Sequence, residues 1–380
     1  MKILHVITST GIGGAQVMLR RYLADPTAWH LRHEVVSVLP GGRVGDELAE
    51  MGVPLVDLGL TSAAQAPSAL GRLRRIVAER SPDVVHGWMY HGSLAAALAA
   101  PATIPRILGM HHSLADRRTE SLSTRLILRG LARLSARSAA VTYCGHAIAE
   151  QHEAIGFAGS RRAVIPNGTD HTTFRPRPEA RARLGLELGL PETRIVIGNV
   201  TRNHPMKDVG MLVRTAKRLL DDGLDVQAVV MGEGHEDGPV RKEAQRLGIE
   251  DRVTLLPARP DVAPIVAGFD IFVLCSAWGE AFSLALSEAM AAGVPGVATD
   301  VGDSAWLIGD RARIVPPRDD AALARVLAEL SRATPDRRRA LGARDRARII
   351  ENFSMTGYVE AHAALYEMAM TGEARLIAAQ

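Results

Sequence analysis

Glu280 and Glu288 stand eight residues apart in Gly279-Glu280-Ala281-Phe282-Ser283-Leu284-Ala285-Leu286-Ser287-Glu288, two carboxylates around what reads as a helix start. The apolar residues Leu284, Leu286, Ala289 and Met290 run on into Gly293 and Pro295, a pair that commonly ends a helix. The segment therefore reads as loop, short helix and a strand at Gly296 to Thr299. With the apolar strand Asp270 to Cys275 before it, it makes a βαβ unit whose loop opens at the carboxyl ends of the strands, where open α/β sheets bind ligands. Backbone N–H groups and the positive end of the helix dipole near Phe282, Ser283 and Leu284 suit a phosphate. A carboxylate beside such an anion makes sense if Glu280 faces sugar hydroxyls, and Glu288, at least a turn inside, could accept hydrogen bonds from a ribose diol. The blander alternative is that Glu280 complements the dipole and Glu288 is a solvated surface residue.

A second cluster lies upstream, where the apolar strand from Ile195 breaks into a polar loop carrying Arg202 and Lys207. A guanidinium grips phosphate oxygens with two parallel hydrogen bonds and an ammonium adds a point charge, a combination that suits a diphosphate. In isolation both would pass for ordinary exposed basic side chains.

The elements that must position these groups come in a regular alternation. Apolar strands at Ile3 to Thr8, His33 to Leu39, Leu55 to Leu58, Val84 to Trp88, Arg106 to Met110 and Ala140 to Cys144 are separated by helical segments, the first beginning near Ala15. The pattern restarts at Ile195 and continues through Val226 to Met231, Val253 to Leu256, Ile271 to Cys275 and Gly296 to Thr299. Such alternation predicts two α/β domains, each a parallel sheet with helices on both faces. The stretch His171 to Thr193, rich in Pro, Arg and Glu, reads as the connection between them, and Tyr358 to Met370 reads as a final helix with the stripe Val359, Ala363, Tyr366 and Met370.

In this frame Gly11, Gly13 and Gly14 fall between the first strand and first helix, the place of a pyrophosphate loop. A dinucleotide fingerprint wants a further glycine where Gln16 stands and an acid about 20 residues on, whereas the second strand ends at Leu39-Pro40. A plain tight turn is the alternative. His111 and His112 follow the strand Arg106 to Met110 and His91 follows Val84 to Trp88, so all three lie at the carboxyl edge of the first sheet. Histidines at strand ends are more often structural than catalytic, and packing of an aromatic-rich turn would explain His91 equally well.

The string from Gly279 to Asp300 resembles the E-x7-E segment of the retaining nucleotide-sugar glycosyltransferases of family four. Other marks of that family occur in order: the glycine-rich first loop Gly11 to Gln16, the strand exit Ile165-Pro166-Asn167-Gly168-Thr169-Asp170 with Phe174-Arg175-Pro176, the cations Arg202 and Lys207, and the glycine turn Met231-Gly232-Glu233-Gly234. The resemblance covers essentially the whole chain. It implies the GT-B fold, two Rossmann-like domains facing across a cleft, here an acceptor-side domain over residues 1–175 and a donor-binding domain over 176–350. Residues 351–380 would form a C-terminal helix crossing back to the first domain.

By the same resemblance the donor is a nucleoside-diphosphate sugar and the acceptor a hydroxyl, a lipid-linked one being an option, in cell-envelope or exopolysaccharide assembly. Gly13, Gly14, Arg202, Lys207, Gly232, Arg259, Glu280, Phe282, Ser283, Leu284 and Glu288 would bind the donor. Arg202, Lys207, Glu280 and His112 would carry catalysis, and His91 and His111 would line the acceptor side, with His111 the alternative to His112 as the sugar-side imidazole. Cations and helix dipole can stabilise a leaving diphosphate, so neither cofactor nor divalent metal is implied. A related sugar-nucleotide epimerase, a phosphorylase or a non-catalytic sugar-nucleotide-binding protein are the competing classes.

Composition sets the outer limits. The chain has 380 residues, enough for two ordinary domains, and its hydrophobic content of 47% supports real cores. Cys144 and Cys275 have no ligand-like spacing, which argues against disulfides and structural zinc and fits a reducing cytoplasm. No stretch approaches the ~20 apolar residues of a membrane span, and Met1 to Thr8 lacks a signal-peptide pattern. Residues 1–178 hold 20 Lys and Arg against 13 Asp and Glu, a charge of +7, and the remainder 25 against 29, or −4. Arg125, Arg129, Arg133 and Arg137 recur every four residues beside Leu126, Leu131 and Leu134. That stripe is either a solvated helix face or a peripheral contact with an anionic membrane surface. No nucleic-acid partner is expected.

Overall fold

Each of two parallel sheets reverses its strand order once, and the reversal decides where ligand chemistry can sit. The computed structural model describes residues 1–114 and 120–372. The first sheet contains β1 (Lys2–Ile7), β2 (Arg32–Ser37), β3 (Leu55–Asp57), β4 (Val84–Trp88), β5 (Arg106–Met110), β6 (Ala140–Tyr143) and β7 (Arg162–Val164). Its order is β3-β2-β1-β4-β5-β6-β7. The second contains β8 (Ile195–Val200), β9 (Val226–Met231), β10 (Val253–Leu256), β11 (Ile271–Leu274), β12 (Gly296–Thr299) and β13 (Ile314–Val315), ordered β10-β9-β8-β11-β12-β13. All pairings are parallel, as in β8 and β11, where Ile271 lies beside Ile197. The same winding is thus used twice, with switch points between β1 and β4 and between β8 and β11.

The strands are apolar because helices cover both faces of each sheet. In the second unit Ile197, Val230, Val273 and Val297 pack with Leu212, Ala216 and Leu219 of the helix Val209–Asp221 and with Leu323 and Leu327 of the helix Asp320–Arg332. In the first, Leu4, Val6, Val36 and Val85 pack with Leu73 and Val77 of the helix Ala66–Arg80. Burying one such Leu or Val contributes about 1.5–3 kcal/mol.

The chain divides into two units, Met1–Gly168 together with the chain from Met355 onward, and Thr169–Ser354. The divisions expected from sequence, 175/176 and 350/351, fall inside the second unit. So does His171 to Thr193: it is no interdomain connection but holds the helix Ala180–Leu188, fastened by Arg181 Nε to Asp270 Oδ2 at 3.0 Å. The chain passes between units at Gly168/Thr169 and again at Ser354/Met355. Side-chain packing sets the first point, because a Cβ on Gly168 would lie 2.7 Å from the Tyr358 Cβ while Thr169 already donates its N–H to Phe353 O at 2.8 Å. The strands β7 and β13 were not legible in the sequence, since edge strands of three and two residues carry no periodicity.

The helix Met355–Thr371 buries Tyr358, Val359, His362, Leu365 and Tyr366, whereas Met370 of the expected stripe is exposed. Residues 373–380 of the expected C-terminal segment lie outside the described residues. The buried face is turned toward a group of rings in the first unit: His5, His86, Trp88 and Tyr22 all lie within 6.0 Å of the His362 ring or of one another. Tyr366 Oη and His86 Nδ1 are hydrogen-bonded at 2.9 Å.

Burial pushes His33, His152 and His362 down to about 4 and holds His5 and His86 well below the ordinary histidine value. These groups are neutral when folded and take up protons near the ordinary value when unfolded, so their contribution is present above about pH 6.5 and is lost as pH falls toward 4. The melting temperature should therefore drop between pH 6.5 and 5, above the range where most carboxylates titrate. A flat melting profile over that window would contradict the neutral assignment.

Candidate functional site

In the second unit the loops that leave β8 and β11, neighbours at the switch point, are locked together. Lys207 ends a short turn, Pro205–Lys207, whose cap His204 accepts a hydrogen bond at Nδ1 from Met206 N at 3.2 Å. Its ammonium donates to Glu280 Oε1, and Ser276 Oγ, just past β11, donates to the same oxygen at 2.5 Å. Glu280 is buried, only 6% exposed, so its charge depends on these partners. The backbone repeats the link: Ala277 N donates to Met206 O at 2.8 Å. Gly279, with φ +79°, brings the turn so close that a Cβ would sit 2.3 Å from Met206 Sδ, so any other residue there would be strained and would displace the Met206 side chain. From β12, Thr299 Oγ1 donates to Ser276 O at 2.7 Å. Three strand ends therefore fix one carboxylate oxygen.

The helix that follows is Leu284–Ala291, within the start expected at Phe282 to Leu284, with Ser283 as its cap and Ser283 Oγ accepting from Leu286 N at 3.4 Å. Phe282 is buried beside Trp306 and Phe353, which anchors the turn into the helix. Glu288 is half-buried on the same helix.

The loop after β9 is laced to the loop after β8. Gly232 has φ +151°, and a Cβ there would lie 1.9 Å from Thr201 O. Asn203 N donates to Glu233 O at 2.8 Å, Asn203 Nδ2 to Gly234 O at 2.7 Å, and the buried His235 donates through Nε2 to Thr201 O at 2.8 Å. Arg202 sits between these anchored neighbours, exposed, and among the described residues no carboxylate pairs with it. Arg259 is placed differently. It follows the edge strand β10 and is saturated by carboxylates, its Nε and Nη2 at 2.9 and 2.7 Å from Asp261 and its Nη1 on Glu187. Its guanidinium is thus engaged away from the Lys207–Glu280 pair.

The sequence treated Lys207 and Glu280 as serving different parts of a ligand; the structure makes them an ion pair. It also adds Ser276, which nothing in residue type marks, although its position four residues before Glu280 at a strand end was a usable signal. Trp278 and Arg318 were missed as well; the guanidinium lies 5.5 Å from the indole centre.

In the first unit Gly13 caps the helix Gly14–Ala24, and Gln16, where the dinucleotide fingerprint wants glycine, turns back to donate from Nε2 to Ser9 Oγ at 3.1 Å. A Cβ on Gly13 would strike Gln16 Oε1 at 2.5 Å, while Gly14 has open space around it. His91 is exposed on the helix Met89–Ala99 that follows β4. At the end of β5 the two histidines diverge. His112 is exposed with its ring 5.6 Å from Tyr90, whereas His111 lies flat on Trp88, 5.0 Å away at 11°, and burial pushes it down to about 3. The helix Leu122–Ser135 turns Leu122, Leu126, Arg129 and Arg133 outward together, with Arg125 partly covered. Among the described residues no helix is long and apolar enough to cross a membrane, and no group of three or more His, Cys, Asp or Glu is arranged to hold a metal.

Two family descriptions match the chain, a glycosyl transferase 4-like domain over residues 13–168 and glycosyl transferases group 1 over residues 185–348. The D-inositol 3-phosphate glycosyltransferase of Nocardia farcinica is 34% identical over 237 residues, 59% of this chain and 48% of that protein. The chain thus spans about half the length of that relative. The putative glycosyltransferase EpsF of Bacillus subtilis is 25% identical over 79% of both chains. Among solved structures, HepE of Anabaena in complex with UDP superposes with a TM-score of 0.84 at 21% identity, covering 96% of this chain and 99% of that one, which identifies the fold.

Ser276→Ala removes one of the two donors to a buried carboxylate oxygen, and hydrogen bonds to charged groups contribute about 1.5–3 kcal/mol. Its unfolding free energy should fall by that amount, read as a lower denaturant midpoint with an unchanged slope. An unshifted midpoint would mean that Lys207 alone holds Glu280.

Proposed function

We propose, from the premise that this chain belongs to the GT-B glycosyltransferases of family four, that it moves a sugar from a nucleoside-diphosphate donor to a hydroxyl acceptor with retention at the anomeric carbon. The observation that carries this reading is the Lys207–Glu280 pair at the β8/β11 switch point, with the exposed Arg202 on the same loop after β8 as Lys207. A cation already held by a carboxylate can bridge two chemistries: the ammonium faces the diphosphate while the carboxylate meets sugar hydroxyls. Arg202, with no competing acid, is the stronger anion grip.

As the bond from the anomeric carbon to the phosphate oxygen breaks, negative charge grows on the diphosphate. Arg202, Lys207 and the helix start at Phe282 to Leu284 are preorganised to stabilise it. The acceptor oxygen attacks from the same face, and its proton passes to the departing phosphate oxygen, so that no carboxylate has to act as nucleophile. Glu280 holds the sugar, Glu288 the ribose, and Gly232 lets the β9 turn come close to the nucleotide. Gly13 and Gly14, at the start of the helix Gly14–Ala24, are read as donor-binding from the family resemblance alone. His91 and the imidazoles at the end of β5 serve the acceptor and sugar side. Arg259, being saturated by acids, contributes through its loop backbone.

The reading extends to cell-envelope or exopolysaccharide assembly on a lipid-linked acceptor at the inner face of the plasma membrane. Leu122 and Leu126, 77% and 65% exposed, stand in line with Arg129 and Arg133, which is the pattern of an interfacial helix. Sedimentation with vesicles containing anionic lipid should fall sharply for Leu122→Asp/Leu126→Asp. Equal sedimentation of the variant and the parent would remove the membrane from the reading.

Arg202→Ala is the clean catalytic test because the side chain is exposed: kcat should fall on the order of 10²–10³-fold with the melting temperature unchanged. Lys207→Ala should lose turnover and also stability, on the order of 3–5 kcal/mol, because it leaves Glu280 buried beside a lone serine. Glu280→Ala and Glu288→Ala should each lose activity. Normal turnover in Arg202→Ala, or indifference at both acids, would sink the assignment. A thermal-shift panel of sugar nucleotides, beginning with UDP-sugars, identifies the donor, since a ligand at about 100 times its Kd adds roughly 2.7 kcal/mol.

A further inference from the structure

The second sheet opens at its switch point, and one buried side chain spans the opening. β8 pairs with β9 along all six of its residues, whereas it pairs with β11 only through Ile197 and Gly198. β11 meanwhile stays beside β12 through Leu274. Over the last residues of β8 and β11 the two halves of the sheet therefore part, which is the crevice where an open α/β sheet takes its ligand. Asn199, 1% exposed, reaches across it: Nδ2 donates to Val273 O at 2.8 Å and lies 3.9 Å from Cys275 Sγ.

Asn199 stands three residues before Arg202, and Val273 stands three residues before Ser276. The amide thus joins the stems of the two loops that carry Arg202, Lys207, Ser276 and Glu280. Further out the same loops meet through Ala277 N on Met206 O and through Lys207 on Glu280. A side chain selected for packing alone would be apolar here. Val273 O can only accept, so the amide nitrogen must face it, and Asn199 Oδ1 is left buried with no hydrogen-bond partner among the described residues. A buried acceptor without a partner is destabilising, and leucine would fill a similar volume without one. The stability given up at Oδ1 points to a use for the contact at Nδ2.

We propose that Asn199 is a positioning residue: its amide holds the stems of the β8 and β11 loops at a fixed separation where the ladder has ended, and so keeps Arg202 and Lys207 aligned with Ser276 and Glu280. The kinetic consequence rests on the transferase reading above; the geometry does not. Displaced cations weaken stabilisation of the leaving diphosphate more than they weaken binding of the donor.

Asn199→Leu keeps the volume and removes the donor. Well below its melting temperature it should lower kcat about tenfold, with KM for the donor within about threefold and the melting temperature within a few degrees of the parent. Asn199→Ser, whose hydroxyl falls one bond short of Val273 O, should show the same loss. Leu327→Ala, which opens a cavity in the core of the same unit, should melt earlier and keep its kcat. Parental kcat in the Asn199 variants, or an equal loss in Leu327→Ala, overturns the proposal, because a residue that only supports the fold acts through stability. Failure of both Asn199 variants to fold also counts against it, since the amide would then be a folding requirement.

The second arm needs no turnover. The chain has four lysines, Lys2, Lys207, Lys217 and Lys242, so 1H–13C spectra of the full chain labelled at lysine Cε are simple, and Lys207→Arg identifies the signal of interest. That signal should move in folded Asn199→Leu or Asn199→Ser and stay in Leu327→Ala. An unmoved Lys207 signal in the Asn199 variants, or an equal shift in Leu327→Ala, would sink the proposal. Absence of sugar transfer by the parent protein together with the expected Lys207 shift would instead fail the transferase reading and leave the Asn199 tether standing.

Discussion

The ion pair between Lys207 and Glu280 ties together the parts of the second unit that chemistry would need. Two charges out of water cost several kcal/mol to desolvate, and a pair repays that only when geometry and extra hydrogen bonds are good. Here the repayment comes from Ser276, from the backbone link between Ala277 and Met206, and from Thr299 behind Ser276. Each partner lies on a different loop, and each loop leaves a strand next to the switch point. Pair and topology therefore support one another: the sheet order puts the loops side by side, and the pair fixes how they meet.

That arrangement explains the glycines around it. Gly279 and Gly232 occupy positive φ where backbone or sulfur atoms from the neighbouring loop come within 2.3 Å of a hypothetical Cβ. They are the places where loops from β9, β8 and β11 are pressed together. Arg202, in contrast, pairs with no acid among the described residues and is surrounded by backbone that is fixed on both sides. A rigid loop bearing one neutralised cation and one bare cation is suited to a ligand with both an anion and hydroxyls.

The first unit repeats the winding but spends its polar residues differently. Where the second unit buries a charge pair at its switch point, the first buries neutral rings, with His5 on β1 and Trp88 on β4 joined by a hydrogen bond across the reversal. Burial keeps these histidines uncharged, so the network is directional and has a single proton arrangement. The C-terminal helix is part of that network through His362 and Tyr366, which is why its buried face includes residues that a hydropathy stripe passes over.

The alternation of apolar segments was enough to fix the fold class, since strands covered on both faces must be apolar and helices between them must be amphipathic. It also located Arg202, Lys207, Glu280 and the helix after them, because local turn chemistry and helix ends are written in neighbouring residues. What sequence could not reveal was which residues meet. Lys207 and Glu280 are 73 positions apart, and only the order of strands brings them into contact. The same holds for Trp88 with His5, 83 positions apart, and for the points where the chain passes between units, which depend on packing around Gly168 and not on local composition. Arg259 shows the reverse: a guanidinium that looked available is claimed by Glu187 and Asp261 once the chain folds. Residue type decides what a group can do, and long-range packing decides which partner it finds.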